Sequence, residues 1–386
     1  MFTLIKDATL YSPAKQGKKD ILVAGNVIAR IAEQIFLPDG LDVRLIDASG
    51  KIVMPGFIDL HVHILGGGGE AGFGSRTPEI TLSKISTAGV TTVVGCLGTD
   101  DVTRKPESLL AKAMQLEEEG VSTYIYTGSY QLPPATITGS VRKDIALIPK
   151  VVGVGEVAIS DHRSSQPSFA ELCRLAAEAR VGGMIGGKAG VVHLHVGSGD
   201  RGLEPVIAVI RQTEIPISQF LPTHVTRTRA LWQQAMEFAK MGGYIDLTAS
   251  PLELTFAVDT AEALSMALEE GVPLEHLSLS SDSNGSMPIF NEKLEVVRLA
   301  VGDIGNLYEE CRKLVNGGRS LEDVLQLVTV NPAKRMGIFQ RKGSVTQGKD
   351  ADLLIVDPEM KIEYVMARGR FLVEQGRPVV KGTFEE

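Results

Sequence analysis

From residue 52 onward, short apolar and β-branched runs alternate with segments of helical periodicity, and this alternation limits the possible folds more than any other feature. It is typical of βα units arranged around a parallel sheet. Strands are predicted at 52–63, 91–98, 122–130, 151–160, 191–197, 220–225, 243–250 and 277–282, and helices at 78–88, 106–119, 169–180, 204–212, 230–240, 260–269 and 320–328. Eight parallel strands predict an α/β fold of the (β/α)8 TIM-barrel type, which usually takes about 250 residues or more.

The two ends of the chain follow a different pattern. Residues 1–51 and 343–386 alternate polar and apolar positions and contain no long helical pattern. Neither end alone offers enough strands for an independently stable sheet, so we expect them to combine into one small β-sandwich domain. The predicted division is 1–54 for the first part of the sandwich, 55–342 for the barrel and 343–386 for the second part.

Charge and composition exclude several classes of protein. The net charge is −8, and lysine and arginine are scattered rather than clustered, so we expect no nucleic-acid partner. We expect no membrane association either, because apolar runs long enough to span a bilayer are missing. The first residues lack the apolar core of a secretion signal, which favours a cytoplasmic location. The three cysteines are too few and too far apart for a disulfide framework or a thiolate zinc site.

Histidines are concentrated at the predicted strand ends. His61 and His63 are two residues apart in one strand, so their side chains share a face about 7 Å apart and can converge on one ion. The alternative is a pair of hydrogen-bonded core histidines. His195 and His224 end two further strands and would lie at the catalytic rim of a barrel. His193 could face the same way, but His195 is nearer the strand end and is preferred.

Two carboxylates complete the set of candidate metal ligands. Asp282 ends the last predicted strand, where it could hold a metal and transfer a proton, although a helix N-cap is the alternative. Glu156 lies within an apolar strand, and a carboxylate there is costly unless it is paired or bound to a cation. Bridging two cations would make the burial of Glu156 favourable. Zinc suits this combination of imidazole and carboxylate ligands.

These residues resemble the amidohydrolase superfamily, and within it the isoaspartyl dipeptidases. The resemblance rests on the His61/His63 motif, the later strand-end histidines, Asp282, and the stretches 66–70, 124–141, 158–164, 223–227, 280–286 and 343–353. It implies two zinc ions per subunit, with His61 and His63 on one, His195 and His224 on the other, and Asp282 completing the first site.

The resemblance also implies roles around the metals. Glu70 would meet the substrate α-ammonium group, and Arg163 and Arg227 would bind carboxylates with help from Thr99 and Ser286. Tyr130 would polarise the scissile carbonyl, and Asp282 would carry the proton. A β-aspartyl dipeptide has two carboxylates and one amine, which this set matches, because arginine is a two-pronged donor to carboxylate. A large homo-oligomer such as an octamer is also implied.

One position departs from the family pattern. The isoaspartyl dipeptidases usually bridge their metals with a carboxylated lysine, whereas the aligned residue here is Glu156. Glutamate ends in the same carboxylate on a shorter arm, so its backbone must lie nearer the metals. We interpret Glu156 as a direct replacement of the lysine.

The resemblance therefore implies zinc-dependent hydrolysis of β-aspartyl dipeptides by a metal-bridged hydroxide, releasing aspartate and an amino acid. An alternative is a cyclic-amide hydrolase of the dihydroorotase or hydantoinase type, which shares the barrel, the metals and Asp282. The combination of Glu70, Arg163 and Arg227 favours the dipeptide. A catalytically silent scaffold is a further alternative, and the presence of every expected histidine argues against it.

Overall fold

The computed structural model describes residues 2–249, 257–290 and 296–386. Met1, in the first predicted domain, and Ser250, at the end of a predicted strand, lie outside the described residues. The N-terminal segment contains the strands β1 (Phe2–Tyr11), β2 (Lys15–Ala24), β3 (Val27–Ala32), β4 (Val43–Asp47) and β5 (Ile52–Pro55).

The central segment alternates strands and helices as predicted. The strands are β6 (Phe57–Val62), β7 (Val90–Gly95), β8 (Ser122–Thr127), β9 (Val151–Ile159), β10 (Val191–Val196), β11 (Phe220–Thr223), β12 (Ile245–Thr248) and β13 (Leu277–Ser280). The helices are α1 (Leu82–Thr87), α2 (Pro106–Glu119), α3 (Val141–Leu147), α4 (Phe169–Gly186), α5 (Glu204–Gln212), α6 (Arg229–Lys240) and α7 (Thr260–Glu269).

These eight strands form a curled parallel sheet consistent with a TIM-like barrel. Strands β6 to β11 pair in sequence order, and β12 pairs with β13. Between these groups, Thr223 Oγ1 donates a hydrogen bond to Asp246, and beyond β13 a parallel bridge joins Ser283 to Val62. The fully buried Asp246 also accepts from hydroxyls of β13, so one carboxylate links three consecutive strands.

The chain returns to the N-terminal sheet after the barrel. A hairpin of β14 (Ser286–Phe290) and β15 (Val296–Val301) leads to the helices α8 (Gly305–Asn316), α9 (Leu321–Val328) and α10 (Val330–Arg335). The last strands are β16 (Leu353–Val356), β17 (Ile362–Ala367), β18 (Arg370–Glu374) and β19 (Arg377–Pro378). Strand β16 pairs antiparallel with β5, so both ends of the chain contribute to one nine-stranded sheet.

That terminal sheet has its own apolar core. The buried members come only from residues 5–53 and 345–371, and the barrel has a separate and larger core. Pairing of the two chain ends agrees with the expectation that neither is stable alone. Within the described ranges the terminal strands are joined as one sheet, and the two-layered sandwich stays a prediction.

The predicted single strand at 52–63 is wrong, because it is two strands in two different sheets. Gly56 separates them, and its amide donates to the carbonyl of Asp352 at 3.0 Å. A Cβ at Gly56 would lie 2.3 Å from Thr91 Oγ1, so only glycine fits where the chain passes from the terminal sheet into the barrel. Helices α3, α8 and α10 and the pair of strands β14 and β15 were not predicted from the sequence.

Three helices have the predicted bounds, namely α2, α5 and α7. Helix α2 begins with Pro106 and stops before Gly120, as predicted. Helix α4 starts at the Ser168–Glu171 capping box and runs to Gly187 in the left-handed conformation, which is beyond the predicted end at residue 180. Among the described residues, none of the helices is long and apolar enough to cross a bilayer.

A test of barrel packing follows from Trp232, a fully buried residue of α6. Trp232→Ala leaves a large cavity and should lower the free energy of unfolding by about 3–5 kcal/mol. Trp232→Phe keeps most of the volume and should cost less than about 1.5 kcal/mol. Denaturant titration followed by circular dichroism suits the comparison, since Trp232 is the only tryptophan. Equal stabilities for the two variants would contradict this packing.

Candidate metal and substrate site

All six predicted metal ligands come together at the carboxyl-terminal end of the barrel strands. Histidine 61 lies within β6, Glu156 within β9 and His195 within β10. His63 follows directly after β6 and His224 directly after β11, and Asp282 lies two residues after the end of β13. The carboxyl ends of parallel strands meet at one mouth of a barrel, which explains the convergence of residues distant in sequence.

Glu156 is the centre of this cluster. Its Oε2 lies 3.2 Å from His61 Nε2, 3.4 Å from His195 Nδ1 and 3.6 Å from His224 Nε2. Its Oε1 lies 3.7 Å from His63 Nε2. One carboxylate therefore reaches both histidine pairs, as the bridging interpretation of Glu156 requires.

Asp282 approaches the same imidazoles and is the most exposed of the six candidate ligands. Its Oδ1 lies 3.2 Å from His63 Nε2 and 3.4 Å from His61 Nε2, and its side chain is about one quarter exposed (26%). Asp282 and His224 both have positive φ angles, of 51° and 62°. Non-glycine residues in this conformation cluster at functional sites, where the surrounding structure holds them.

Unpaired buried atoms show that the site fits a cation. The buried side-chain atoms without a hydrogen-bond partner in the described part of the chain include His61 Nε2, Glu156 Oε2 and His224 Nε2. Buried polar groups are nearly always satisfied, so three such atoms facing one another need an explanation. Imidazole nitrogens and carboxylate oxygens are ligands that zinc accepts, and a bound cation would satisfy all three.

The charges of the site also favour a cation. Burial alone would raise the pKa of Glu156, but His61 and the other imidazoles lower it well below its usual value. The pKa of Asp282 is also lowered, because the effects of His224 and His61 are larger than the opposing effect of burial. Burial lowers the pKa of His61 and His63, yet Cys96 and the carboxylates raise it overall. Without metal, protons on imidazole balance the carboxylates, so metal binding must displace protons.

Each candidate histidine has a partner on its second ring nitrogen. Nδ1 of His61 lies 3.0 Å from His193 Nε2, and Nδ1 of His224 lies 2.9 Å from Thr248 Oγ1. Such partners commonly fix the ring orientation of metal-binding histidines. His193 also donates through Nδ1 to the carbonyl of Leu221 at 3.1 Å, so both its nitrogens are engaged. The geometry thus favours His195 over His193 as the ligand.

Two residues near the candidate metal ligands were not predicted from the sequence as part of the site. Cys96, fully buried, offers its sulfur within 4.8 Å of ligand atoms of His61 and His63, and lies 3.8 Å from His63 Nδ1. Asp161 Oδ2 lies 3.1 Å from His195 Nε2, on the nitrogen that does not face Glu156. The available signal was position, because each lies at or just after the end of a predicted strand.

The predicted substrate residues form a polar group beside His195. Arg163 donates to both oxygens of Asp161 at 2.9 and 2.8 Å and to Glu70 at 3.2 Å. Thr99 Oγ1 donates to the same oxygen of Glu70 at 2.8 Å. Arg227 Nη1 lies 4.0 Å from Asp161, so this carboxylate stands between the two arginines. Arg163 and its neighbours hold the pKa of Asp161 far below its usual value despite burial.

Tyr130 and Ser286 complete the predicted set. The hydroxyl of Tyr130 lies 2.7 Å from His195 Nδ1, and the Arg163 guanidinium is 5.2 Å from the centre of the Tyr130 ring. Burial raises the pKa of Tyr130 well above its usual value, so the hydroxyl keeps its proton. Ser286 lies against the loop of Gly66–Gly69, where a Cβ on Gly68 would come within 2.9 Å of Ser286 Cβ.

A family model described as the amidohydrolase family matches residues 52–372. The chain belongs to the amidohydrolase family. Within the family it is similar to the β-aspartyl dipeptidase of Fervidobacterium islandicum AW-1, solved in complex with β-Asp-Leu. The two chains are 47% identical, 98% of each is covered, and the TM-score is 0.90. The resemblance expected from the sequence is confirmed.

Other members of the family are more distant. A dihydroorotase of Elusimicrobium minutum is 24% identical over 92% of this chain and 88% of its own length. A dihydropyrimidinase structure from Brevibacillus agri has a TM-score of 0.69 at 16% identity, covering 99% of this chain and 97% of its own. That likeness shows a shared fold alone.

The central position of Glu156 gives a direct test of metal binding. Glu156→Gln keeps the side-chain volume but removes the charge, so metal affinity should fall at least as much as the ~10–100-fold typical for losing an outer partner of a ligand. Elemental analysis and chelator competition measure the change. Glu33→Gln, at an exposed glutamate, is the matched control. Wild-type affinity in the Glu156 variant would exclude a bridging role.

Proposed function

We propose that this chain hydrolyses β-aspartyl dipeptides with the help of two zinc ions. The observation that carries the proposal is the polar group of Glu70, Arg163 and Arg227 beside the cluster of histidines around Glu156. Glu70 offers an anion to the ammonium group of the substrate, and Arg163 and Arg227, with Asp161 between them, offer two cations to its carboxylates. The similarity to a β-aspartyl dipeptidase over nearly the whole chain supports the same activity.

In this proposal His61 and His63 hold one zinc ion with Asp282, His195 and His224 hold the other, and Glu156 is shared. When bound, zinc lowers the pKa of water toward ~7 and polarises carbonyl oxygens. The unpaired buried atoms of His61, His224 and Glu156 support this assignment. Cys96 lies beside the first pair, with its sulfur 3.8 Å from Nδ1 of His63.

Asp282 is suited to move the proton during the reaction. Its side chain is partly exposed and its pKa is held low, so it enters the reaction as a carboxylate. It would accept the proton of the attacking water and return it to the departing amine. A group in this role must lie within hydrogen-bond reach of both, and the partly exposed position of Asp282 beside the imidazoles allows that.

Tyr130 is suited to stabilise the scissile carbonyl as charge develops on its oxygen. Its raised pKa keeps it a hydrogen-bond donor at neutral pH. Its hydroxyl lies beside His195, at the metal-facing nitrogen Nδ1. Loss of one such donor typically costs ~10²–10³ in rate.

Substrate binding would exchange partners within the polar group. Without substrate, Glu70 accepts from Arg163 and Thr99. An incoming carboxylate would take the Arg163 guanidinium and release Glu70, which would then bind the substrate ammonium group. A substrate that lacks either charge breaks one ion pair without replacing it. The site therefore favours zwitterionic dipeptides over cyclic amides, which have no ammonium group to meet Glu70.

A cyclic-amide hydrolase is the second candidate. It is favoured by the similarity to the Elusimicrobium minutum dihydroorotase, which extends over most of both chains. The lower identity favours the dipeptide, and so does Glu70, which would meet no ammonium group on a cyclic amide. A catalytically silent scaffold is disfavoured by the complete set of converging ligands.

The domain division at residues 54/55 and 342/343 is also part of the proposal. It is supported by the separate apolar core of the terminal sheet. A sandwich arrangement of that sheet and a homo-oligomeric assembly are proposed from the family resemblance.

The activity is tested with a panel of β-Asp-Leu, α-Asp-Leu, dihydroorotate and hydantoin. We expect cleavage of β-Asp-Leu alone, its loss on treatment with a chelator, and its recovery on addition of zinc. Asp282→Asn should reduce the rate at least ~10²-fold, as is typical of general acid–base groups. Faster turnover of dihydroorotate than of β-Asp-Leu would replace the proposal by its second candidate.

Selection for a free ammonium group is tested through Glu70. Glu70→Gln should raise KM for β-Asp-Leu about tenfold or more, because a hydrogen bond to a charged group contributes about 1.5–3 kcal/mol. N-acetyl-β-Asp-Leu should be a poor substrate for the wild type, and Glu70→Gln should not worsen it further. Equal effects of the variant on both substrates would assign Glu70 a structural role. Glu79→Gln, at another partly exposed glutamate, is the control.

A further inference from the structure

His193 is fully buried inside the barrel and is not one of the six candidate metal ligands. Its exposure is 0%, and it lies in β10 two residues before His195. Its ring stacks on Tyr126, with centroids 4.8 Å apart and planes 19° apart, and meets the His61 ring nearly edge-on at 74°. The ring of His193 is therefore held on two sides.

The hydrogen bonds of His193 determine which nitrogen carries its proton. A backbone carbonyl can only accept, so the 3.1 Å contact with Leu221 O places the proton of His193 on Nδ1. The Nε2 of a neutral His193 is then an acceptor, and it lies 3.0 Å from Nδ1 of His61. His61 must in turn donate through Nδ1.

In the neutral ring that a metal requires, that donation leaves Nε2 of His61 without a proton. This is the atom that lies 3.2 Å from Glu156 and 3.4 Å from Asp282 and has no hydrogen-bond partner. A metal requires a bare ring nitrogen, and the other ring nitrogen of a metal-binding histidine usually donates to a fixed acceptor. Carboxylates and carbonyls usually serve as that acceptor, whereas here a second histidine does.

We infer that His193 is a positioning residue that fixes the tautomer and orientation of His61. Because its Nδ1 donates to the carbonyl of Leu221, its Nε2 accepts the hydrogen bond from Nδ1 of His61. This inference rests on the metal centre of the proposed function. His193 itself binds no metal. Its effect is on the affinity of the ion held by His61 and His63.

Two polar substitutions separate this role from simple packing. In His193→Gln the amide oxygen can take the place of Nε2 and accept from His61. In His193→Asn the shorter side chain can keep a donor near the position of Nδ1 but has no acceptor that reaches His61. His276→Asn is the matched control, because His276 also lies against a carbonyl, that of Ala239, on a connection leading into the opposite end of β13.

The full-length protein is stripped of metal and titrated with zinc against a chelator of known affinity. His193→Asn should weaken the binding of one zinc ion by ~10–100-fold, whereas His193→Gln and His276→Asn should stay close to wild type. The zinc-dependent rise in melting temperature, taken from each variant's own metal-free value, should follow the same order. Because each variant is compared with its own metal-free value, a general loss of stability does not affect this second readout.

Wild-type affinity in His193→Asn, or equal losses in the Asn and Gln variants, would overturn the inference while leaving the metal centre intact. A wild-type protein that takes up no zinc would overturn the metal centre and the inference together. The two failures are therefore distinguishable.

Discussion

The convergence of four imidazoles on the buried carboxylate of Glu156 is the constraint on which the rest of the site depends. Glu156 is 1% exposed, and a charge at such a depth is stable only with compensating charges around it. His61, His63, His195 and His224 provide that compensation from three different strands. Each strand must keep its register for this purpose, so the barrel and the cluster stabilise one another.

Residues that contact the candidate ligands also depend on this arrangement of charges. Asp161 contacts His195 on one side and Arg163 on the other, so a single carboxylate joins the histidine cluster to the Glu70–Arg163 pair. A change in Arg163 is therefore expected to reach His195 through Asp161. In the proposed function metal binding and substrate binding share this network, so substitutions of neighbouring residues should have non-additive effects on the two.

Much of the fold and the site could be predicted from the sequence, because both have local signals. The period of the apolar pattern marked the barrel strands, and histidines at strand ends marked the ligands. Gly56 was different: nothing local shows that the strand changes sheets there, since the reason is the nearness of Thr91 in space. The role of His193 also depends on the carbonyl of Leu221 in the next strand, which no pattern within β10 reveals.

The direct passage from β5 through Gly56 into β6 has a consequence for how the protein matures. Strand β5 is anchored by β16, which is encoded near the end of the chain, and β6 carries the first ligand. During synthesis β16 emerges only after all six candidate ligands, the last of which is Asp282. The strand that leads into β6 thus gains its partner β16 only after the whole barrel segment has been made, and we expect the geometry between His61 and Glu156 to be completed only then.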